Sequence, residues 1–340
     1  MPKLPIRPDL DQLRHQAKDL LRAARTGDHS AAARVGAPPT LARAQLAIAR
    51  DYGFASWSKL KTEIERREIL DSRDAGRLGA LTAKQPTLAT DEMLNWCDHH
   101  NGAAPLSYVA MMRFDTSSGG TWRDLPGTGE LARLLLAAGA PVDGDPQDDE
   151  TPLMTAASYG DAEVARVLIQ AGASLEAVSS ADAGGVPNAT ALRHAAVFGM
   201  TDVLDVLVAA GARVVGLSQA AAAGDVGGWL RPDTPLTDRI LALAMAADHQ
   251  RLNVIDVLLD ADTPIDAEDE VWGRQALRLA ASNGRARSVR HLLVRGADPH
   301  HRDPEQGLTA LQWCRRKRSG VGDRSGHTEV EALLVPVTSS

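Results

Sequence analysis

The sequence predicts an all-α solenoid, a row of short helix pairs stacked on one another and preceded by a small helical unit. Three observations carry this. First, a phrase recurs in which an Ala-Ala pair closes a short helix, a leucine-rich helix follows, and a Gly-Ala step ends it. One copy runs Thr151-Pro152-Leu153-Met154-Thr155-Ala156-Ala157-Ser158-Tyr159-Gly160, then Val164-Ala165-Arg166-Val167-Leu168-Ile169, then Gly172-Ala173. Second, the residues that close the leucine helices recur at regular intervals. Third, alanine and leucine carry the apolar load while aromatics make up only 4% of the 340 residues, which suits thin, closely stacked helices. A repeat too small to bury its own apolar face must stack on a copy of itself.

The N-terminal segment, residues 1–70, reads as three helices. Asp9 can cap the first, with Gln12 at the third helical position, and an apolar stripe of Leu10, Leu13, Ala17, Leu20, Leu21 and Ala24 runs to about Thr26, where Gly27 stops it. The second spans Leu41–Asp51 and stops at Gly53; the third begins near Trp57, capped by Ser56, and reaches about Glu68. Phe54 and Trp57 are the expected core of this unit, and residues 71–99 are expected to connect it to the array and cap it.

In the array, residues 100–337, the helix-ending positions are Gly139, Gly172, Gly211, Asp262 and Gly296, spaced by 33, 39, 51 and 34. Glycine suits a helix terminus because the residue there often adopts a left-handed conformation that costs other residues energy, and aspartate tolerates it better than most. Leu153, Leu192, Leu277 and Leu311 share one slot in the first helices and are expected to pack inward. Second helices such as Val254-Ile255-Asp256-Val257-Leu258-Leu259 place apolar residues at i, i+3 and i+4 with charge outside. Insertions interrupt the row at 113–129, 181–188 and 217–238, the last containing a degenerate repeat from Leu217 to Asp225. The last repeat, from Leu308 to Leu334, is expected to cap the row, since a terminal repeat presents one face to water.

Turn, Ala-Ala, leucine helix and Gly-Ala recurring in that order at a 33-residue period resemble the ankyrin-repeat family over residues 100–337. The resemblance implies five to six repeats joined by short β-hairpin turns, and a protein-interaction scaffold rather than an enzyme. It also implies that first-helix ends and hairpin tips face a concave groove. The histidine usual after the family's Thr-Pro-Leu is Met154, Arg193, Arg278 and Gln312 here, so one common polar bridge between repeats is missing. The N-terminal segment resembles a helical module that precedes ankyrin repeats in bacterial proteins, through Leu13-Arg14-His15-Gln16-Ala17-Lys18-Asp19-Leu20-Leu21 and Tyr52-Gly53-Phe54-Ala55-Ser56-Trp57.

Composition narrows the function classes. Hydrophobic residues at 44% and charged residues at 24% are ordinary for a water-soluble chain. No apolar run follows the basic start and no stretch is long and apolar enough for a membrane span, so a cytoplasmic protein is expected, and the Ala/Arg/Gly-rich composition suggests a bacterial one. Two cysteines, Cys97 and Cys314, far apart, exclude a disulfide framework and a thiolate zinc site. The net charge of −7 is unevenly spread: residues 1–70 hold 13 Lys/Arg against 8 Asp/Glu, and the remainder hold 24 against 36. An acidic array favours a basic protein partner.

Candidate sites follow. The concave slots implied by the resemblance hold Tyr159, Phe198, His249 and Asn283 along the first helices, and Trp272 and Arg274 at a hairpin tip. Aromatics and arginine are the residue types that carry interface energy. The 113–129 insertion has its own tryptophan, Trp122. An alternative is therefore a small-molecule or catalytic pocket between this loop and the groove, using Tyr108, Trp122, Tyr159 and His194. A further alternative is DNA association through a helix-turn-helix-like stretch at 41–68, with Lys59, Lys61, Arg66 and Arg67 on phosphates. Glu63, Glu65 and Glu68 would repel them, so nucleic acid is not the expected partner. Neither His99-His100 nor His300-His301 predicts a metal site, because adjacent residues on extended chain point to opposite sides. The basic run Arg315-Arg316-Lys317-Arg318, beside Gly320, Gly322 and Gly326, reads as a solvated loop. No catalytic motif and no cofactor-binding motif is recognised.

Overall fold

The computed structural model describes residues 4–5, 8–93, 103–115, 121–122, 125–270, 272–321 and 326–338, without the side chains of 114–115, 121–122 and 319–321. Cys97 and the His99-His100 pair lie outside the described residues. The chain folds into two compact units, residues 1–109 with 130–141, and residues 110–129 with 142–340.

In the first unit, α1 (Leu10–Arg25), α2 (His29–Val35), α3 (Leu41–Asp51), α4 (Trp57–Ser72) and α5 (Ala75–Lys84) follow in order, then a 3-10 turn at Pro86–Ala89. The Asp9 carboxylate caps α1 by accepting from the backbone N–H groups of Asp11 at 2.7 Å and Gln12 at 3.2 Å. The α1 stripe of Leu13, Ala17 and Leu20 packs with Val35, Ala44, Ile48, Leu60 and Ile64, and the half-buried Phe54 and Trp57 close over this cluster. Each large apolar side chain so buried contributes roughly 1.5–3 kcal/mol. Helix α2, capped by Asp28, escapes the sequence reading because seven alanine-rich residues are too few to show a period.

Helix α4 corrects the DNA reading. Arg66 and Arg67 are 2% and 1% exposed, and Glu63 lies between them. Its carboxylate accepts from the Nε groups of both arginines at 2.9 Å, while Arg66 also donates to the carbonyls of Leu88 at 2.9 Å and Asp91 at 2.7 Å. The glutamate expected to repel phosphate instead draws both arginines inside, where Arg66 fastens α4 to the 3-10 turn and the residues after it.

Next in sequence come α6 (Pro105–Met111), the paired strands β1 (Phe114–Asp115) and β2 (Thr121–Trp122), and α7 (Thr128–Ala137). The strands are antiparallel, with Phe114 opposite Trp122.

The second unit continues as helix pairs: α8 (Pro152–Tyr159) with α9 (Ala162–Gln170), and α10 (Ala191–Val197) with α11 (Thr201–Ala209). After α12 (Leu217–Ala223) come α13 (Leu236–Asp248) with α14 (Leu252–Asp260), α15 (Ala276–Ser282) with α16 (Ala286–Val294), and α17 (Ala310–Val321) with α18 (His327–Thr338). First helices pack on first helices and second on second, as in α8 with α10, α13 with α15, and α14 with α16. This is the all-α solenoid expected. Leu153, Leu192, Leu277 and Leu311 are all buried in it. Gly139, Gly172, Gly211, Asp262 and Gly296 all have positive φ, Asp262 at 57°. Within the 217–238 insertion, α12 stands without a second helix and packs against α13, whose 13 residues exceed the seven of α10.

Polar ties fasten successive repeats where first helices end. His249, after α13, meets the Ala196 carbonyl through Nε2 at 2.9 Å and the Thr201 hydroxyl through Nδ1 at 3.0 Å. Asp248, buried, accepts from Asn283 at 2.9 Å and from Arg285 Nε at 3.1 Å, and Arg285 also donates to the Gly199 carbonyl. Arg251 donates to the Ala222 carbonyl at 2.8 Å, and His327 meets the Ser282 carbonyl at 2.8 Å. The bridge missing at the start of the first helices is thus supplied at their other end.

Two outcomes test this account. Glu63→Gln leaves two buried guanidinium groups without their counter-charge, so urea denaturation should show a loss of about 3 kcal/mol or more, and a near-neutral result would contradict the buried cluster. A Cβ at Gly199 would stand 2.6 Å from Asp248 Oδ2, whereas one at Gly211 meets nothing within 4 Å. Both glycines have positive φ. Gly211→Ala should cost about 1 kcal/mol from backbone strain alone, and Gly199→Ala clearly more.

Candidate functional site

Two exposed aromatics of the second unit lie at the tip before α15 and the end of α10. The tip is fixed by Asp269, whose two carboxylate oxygens accept the backbone N–H groups of Trp272 at 2.9 Å and Arg274 at 2.6 Å. An isolated bridge between Glu268 and Gln275 closes the tip, and the Gln275 side chain caps α15 through the Arg278 N–H at 2.7 Å. A tip bound to its own carboxylate presents its side chains in one arrangement. Asp303 does the same in the next repeat, accepting from Gln306 at 2.6 Å, Leu308 at 3.0 Å and Trp313 Nε1 at 2.8 Å. Burial alone would raise the Asp303 pKa, but these hydrogen bonds outweigh it and hold the carboxyl below the usual range.

Trp272 is 45% exposed and lies beneath the Arg274 guanidinium, whose Cζ sits 4.4 Å from the ring centroid. Arg274 is half-buried and reaches across two repeats, placing NH1 3.7 Å from Met245 Sδ and NH2 3.4 Å from the Val197 carbonyl. Burial holds its pKa below the usual guanidinium value, against the pull of Asp248 and Asp269. Phe198, the residue after Val197, is 38% exposed and tilts against the ring of His194 at 6.3 Å between centroids. One arginine thus stacks on an exposed aromatic of its own tip and reaches the residue before a second, while buried His194 backs Phe198 and buried Asp269 holds the Trp272 backbone.

The other sequence candidates are distributed differently. His249 was expected on an exposed slot; it is 1% exposed and spends both ring nitrogens on the inter-repeat tie, so that expectation is corrected. Tyr108 belongs to the first unit, is 1% exposed, and donates its hydroxyl to Asp71. Tyr159 and Asn283 are half-buried, Asn283 bound to Asp248. The Trp122 side chain lies outside the described residues, as do parts of its loop. His194 is fully buried, with Nδ1 2.8 Å from the Ser158 hydroxyl and 4.0 Å from Glu150 Oε1. A nucleophilic relay needs the hydroxyl and the carboxylate on opposite ring nitrogens, and here both address Nδ1. The 181–188 insertion covers this cluster, since a Cβ on Gly185 would stand 2.7 Å from Glu150 Oε1 and 3.3 Å from His194 Cε1. Ser158, His194 and Glu150 therefore bind the insertion to the array. His301 lies 3.3 Å from Glu268, and no group of three metal-ligating side chains converges among the described residues.

Sequence reasoning missed Asp248, Arg285 and Asp269, which hold the patch in place. Carboxylates abound in the array, and nothing local distinguishes these from solvated ones. Only their positions, at the end of one first helix and the start of one hairpin tip, mark them.

The family models agree with this architecture. Residues 126–216 match the family model for ankyrin repeats in three copies, and residues 272–304 match that for a single ankyrin repeat. The first match contains Phe198 and the second contains Trp272 and Arg274. Among solved structures, the ankyrin repeat domain of human ASB11 is similar at 20% identity, covering 68% of this chain and 98% of that one, with a TM-score of 0.33. No curated protein matches the chain. No helix among the described residues is long and apolar enough to cross a membrane.

The buried histidines make stability depend on pH. Burial pushes His194 down to about 4, and lowers His249 and His327 as well. A histidine depressed in the folded state binds protons more readily when unfolded, so its contribution is complete above about pH 6.5 and falls toward pH 4. For His194 the loss between pH 7 and pH 5 is about 2 kcal/mol. Glu150, raised by burial, opposes part of it at lower pH. Urea midpoints at the two pH values should fall more for the native chain than for His194→Gln, and equal falls would contradict the assignment.

Proposed function

We propose that this ankyrin-repeat array is a non-enzymatic scaffold that binds a segment of a partner protein, and that Phe198, Trp272 and Arg274 are its principal contacts. One observation carries the reading: two aromatics from different repeats stay exposed around a half-buried arginine, on backbone fixed by internal hydrogen bonds. Rigid aromatic and arginine side chains lose little conformational freedom on binding, and contacts of this kind dominate measured interface energies. The row of first helices continues on both sides of the patch, which suits an extended segment rather than an enclosed ligand. The acidic balance beyond residue 70 favours a partner that is basic overall and speeds the encounter at low salt.

Peptides selected from a displayed random library on the folded chain supply a ligand for the test. Phe198→Ala with Trp272→Ala should weaken such peptides by about 10-fold or more, since one hot-spot truncation alone costs over 1 kcal/mol. The thermal midpoint should stay within about 2 °C of the native chain, because surface truncations seldom change stability by more than 0.5 kcal/mol. Undiminished binding, or a collapse of the midpoint, would refute the assignment.

A further inference from the structure

Several partly buried arginines of the second unit are seated on carboxylates, whereas Arg239 meets a backbone carbonyl and Arg274 weaker acceptors still. Arg278 sits on Glu268, Arg285 on Asp248, and Arg251 on Asp205. Arg274, among the described residues, is seated on no carboxylate. Its polar neighbours are a thioether sulfur at 3.7 Å and a backbone carbonyl at 3.4 Å, one a weak acceptor and the other distant for a hydrogen bond. The carboxylates nearest to it are already committed. Asp269 accepts two backbone N–H groups of its own tip, and Asp248 accepts from Asn283 and Arg285.

We propose that Arg274 is a carboxylate-reading position: the bound segment presents an internal Asp or Glu side chain to its guanidinium, with an adjacent apolar side chain against Trp272 and Phe198. This deepens the peptide-binding reading above and rests on it. A guanidinium taken out of water and given only weak acceptors retains donors that a carboxylate can engage in pairs. The Trp272 face, 4.4 Å from Cζ, holds the guanidinium plane before any ligand arrives, so little freedom remains to be lost. Partial burial beside the Trp272 ring reduces the solvation of the pair, which strengthens it relative to an ion pair on the rim.

The source of the carboxylate follows from the surroundings. Helices of the row flank the patch on both sides, α8 before α10 and α17 after α15, so a chain lying along it passes through instead of ending there. That favours a side chain over a free C-terminus. The charge balance makes the position discriminating. Beyond residue 70 the chain holds 36 acidic residues against 24 basic ones, so an acidic residue is repelled at most registers and accepted where a cation stands unseated. The expected ligand is a segment basic overall, with one acidic residue beside an apolar one.

The test uses the full chain and a phage-displayed library of random dodecapeptides. Selected peptides should be enriched in Asp or Glu next to a large apolar residue. For a synthetic peptide so selected, replacing the acidic residue by its amide should weaken binding about 10-fold on the native chain and less than 2-fold on Arg274→Gln, a coupling read as a double-mutant cycle. Arg274→Lys should retain binding only in part, having the charge without the planar fork. Amidating the peptide C-terminus should change nothing, and if that step removes binding the side-chain assignment is overturned. Thermal melts confirm that each variant is folded. If binding depends on Phe198 and Trp272 but shows no coupling to Arg274, the carboxylate assignment fails and the scaffold reading stands. If selected peptides ignore all three residues, or none is enriched, the scaffold reading fails and this assignment with it.

Discussion

Asp248 is the constraint on which the second unit depends. A carboxylate taken out of water costs several kcal/mol unless its lone pairs are satisfied, and here the donors come from other repeats. Asn283 and Arg285 supply them, and Arg285 continues to the Gly199 carbonyl. One buried charge thereby ties the α10, α13 and α15 repeats together. His249 adds a second tie in the neutral form, with both ring nitrogens engaged. Apolar stacking alone would let thin alanine-rich helices slide, because alanine faces are nearly smooth. Directional bonds at the helix ends set their register.

That register is what makes a surface of the exposed residues. Phe198 and Trp272 are 74 positions apart in sequence, with four helices between them. They belong to one patch because Arg274 reaches the Val197 carbonyl and because the repeats carrying them cannot shift. At the tip the same economy recurs on a smaller scale, with Asp269 spending its oxygens on the backbone of Trp272 and Arg274. In a solenoid each repeat touches only its neighbours, so a rigid surface spanning several repeats must be fixed interface by interface.

The fold was legible where one residue decides a local outcome. The leucine slot at 153, 192, 277 and 311 is buried throughout, and the helix-ending positions take the left-handed conformation even where aspartate replaces glycine. Leu41–Asp51 was readable to the residue because Thr40 caps it and Gly53 follows. Legibility failed where the partner of a charge is remote in sequence. Arg66 reads as a surface cation, yet its acceptors include carbonyls 22 and 25 positions away. His249 reads as a groove residue because slot position says which way a helix end faces, not what the neighbouring repeat places there. At the candidate site, residue types were readable for Phe198, Trp272 and Arg274. The carboxylates that organise them were not, since Asp248 and Asp269 look in sequence like any of the acidic residues around them.

These two failures share a physical origin, and it bears on how the patch is read. A buried polar group is stable only when paired, so inside this molecule charges are found with counter-charges and histidines with hydrogen-bonding neighbours: Glu63 with two arginines, Asp248 with Arg285, His249 with a hydroxyl and a carbonyl. Pairing of this kind gives weight to a half-buried cation that has no carboxylate in contact. Arg274 is partly withdrawn from water and stacked, yet its polar contacts are a thioether and a distant carbonyl, while Asp248 and Asp269 attract it without touching it. The desolvation it has already undergone is a cost that a bound carboxylate would not have to meet again. Binding there would supply the carboxylate contact that Arg278, Arg285 and Arg251 already have, and this makes Arg274 a selective contact of the array.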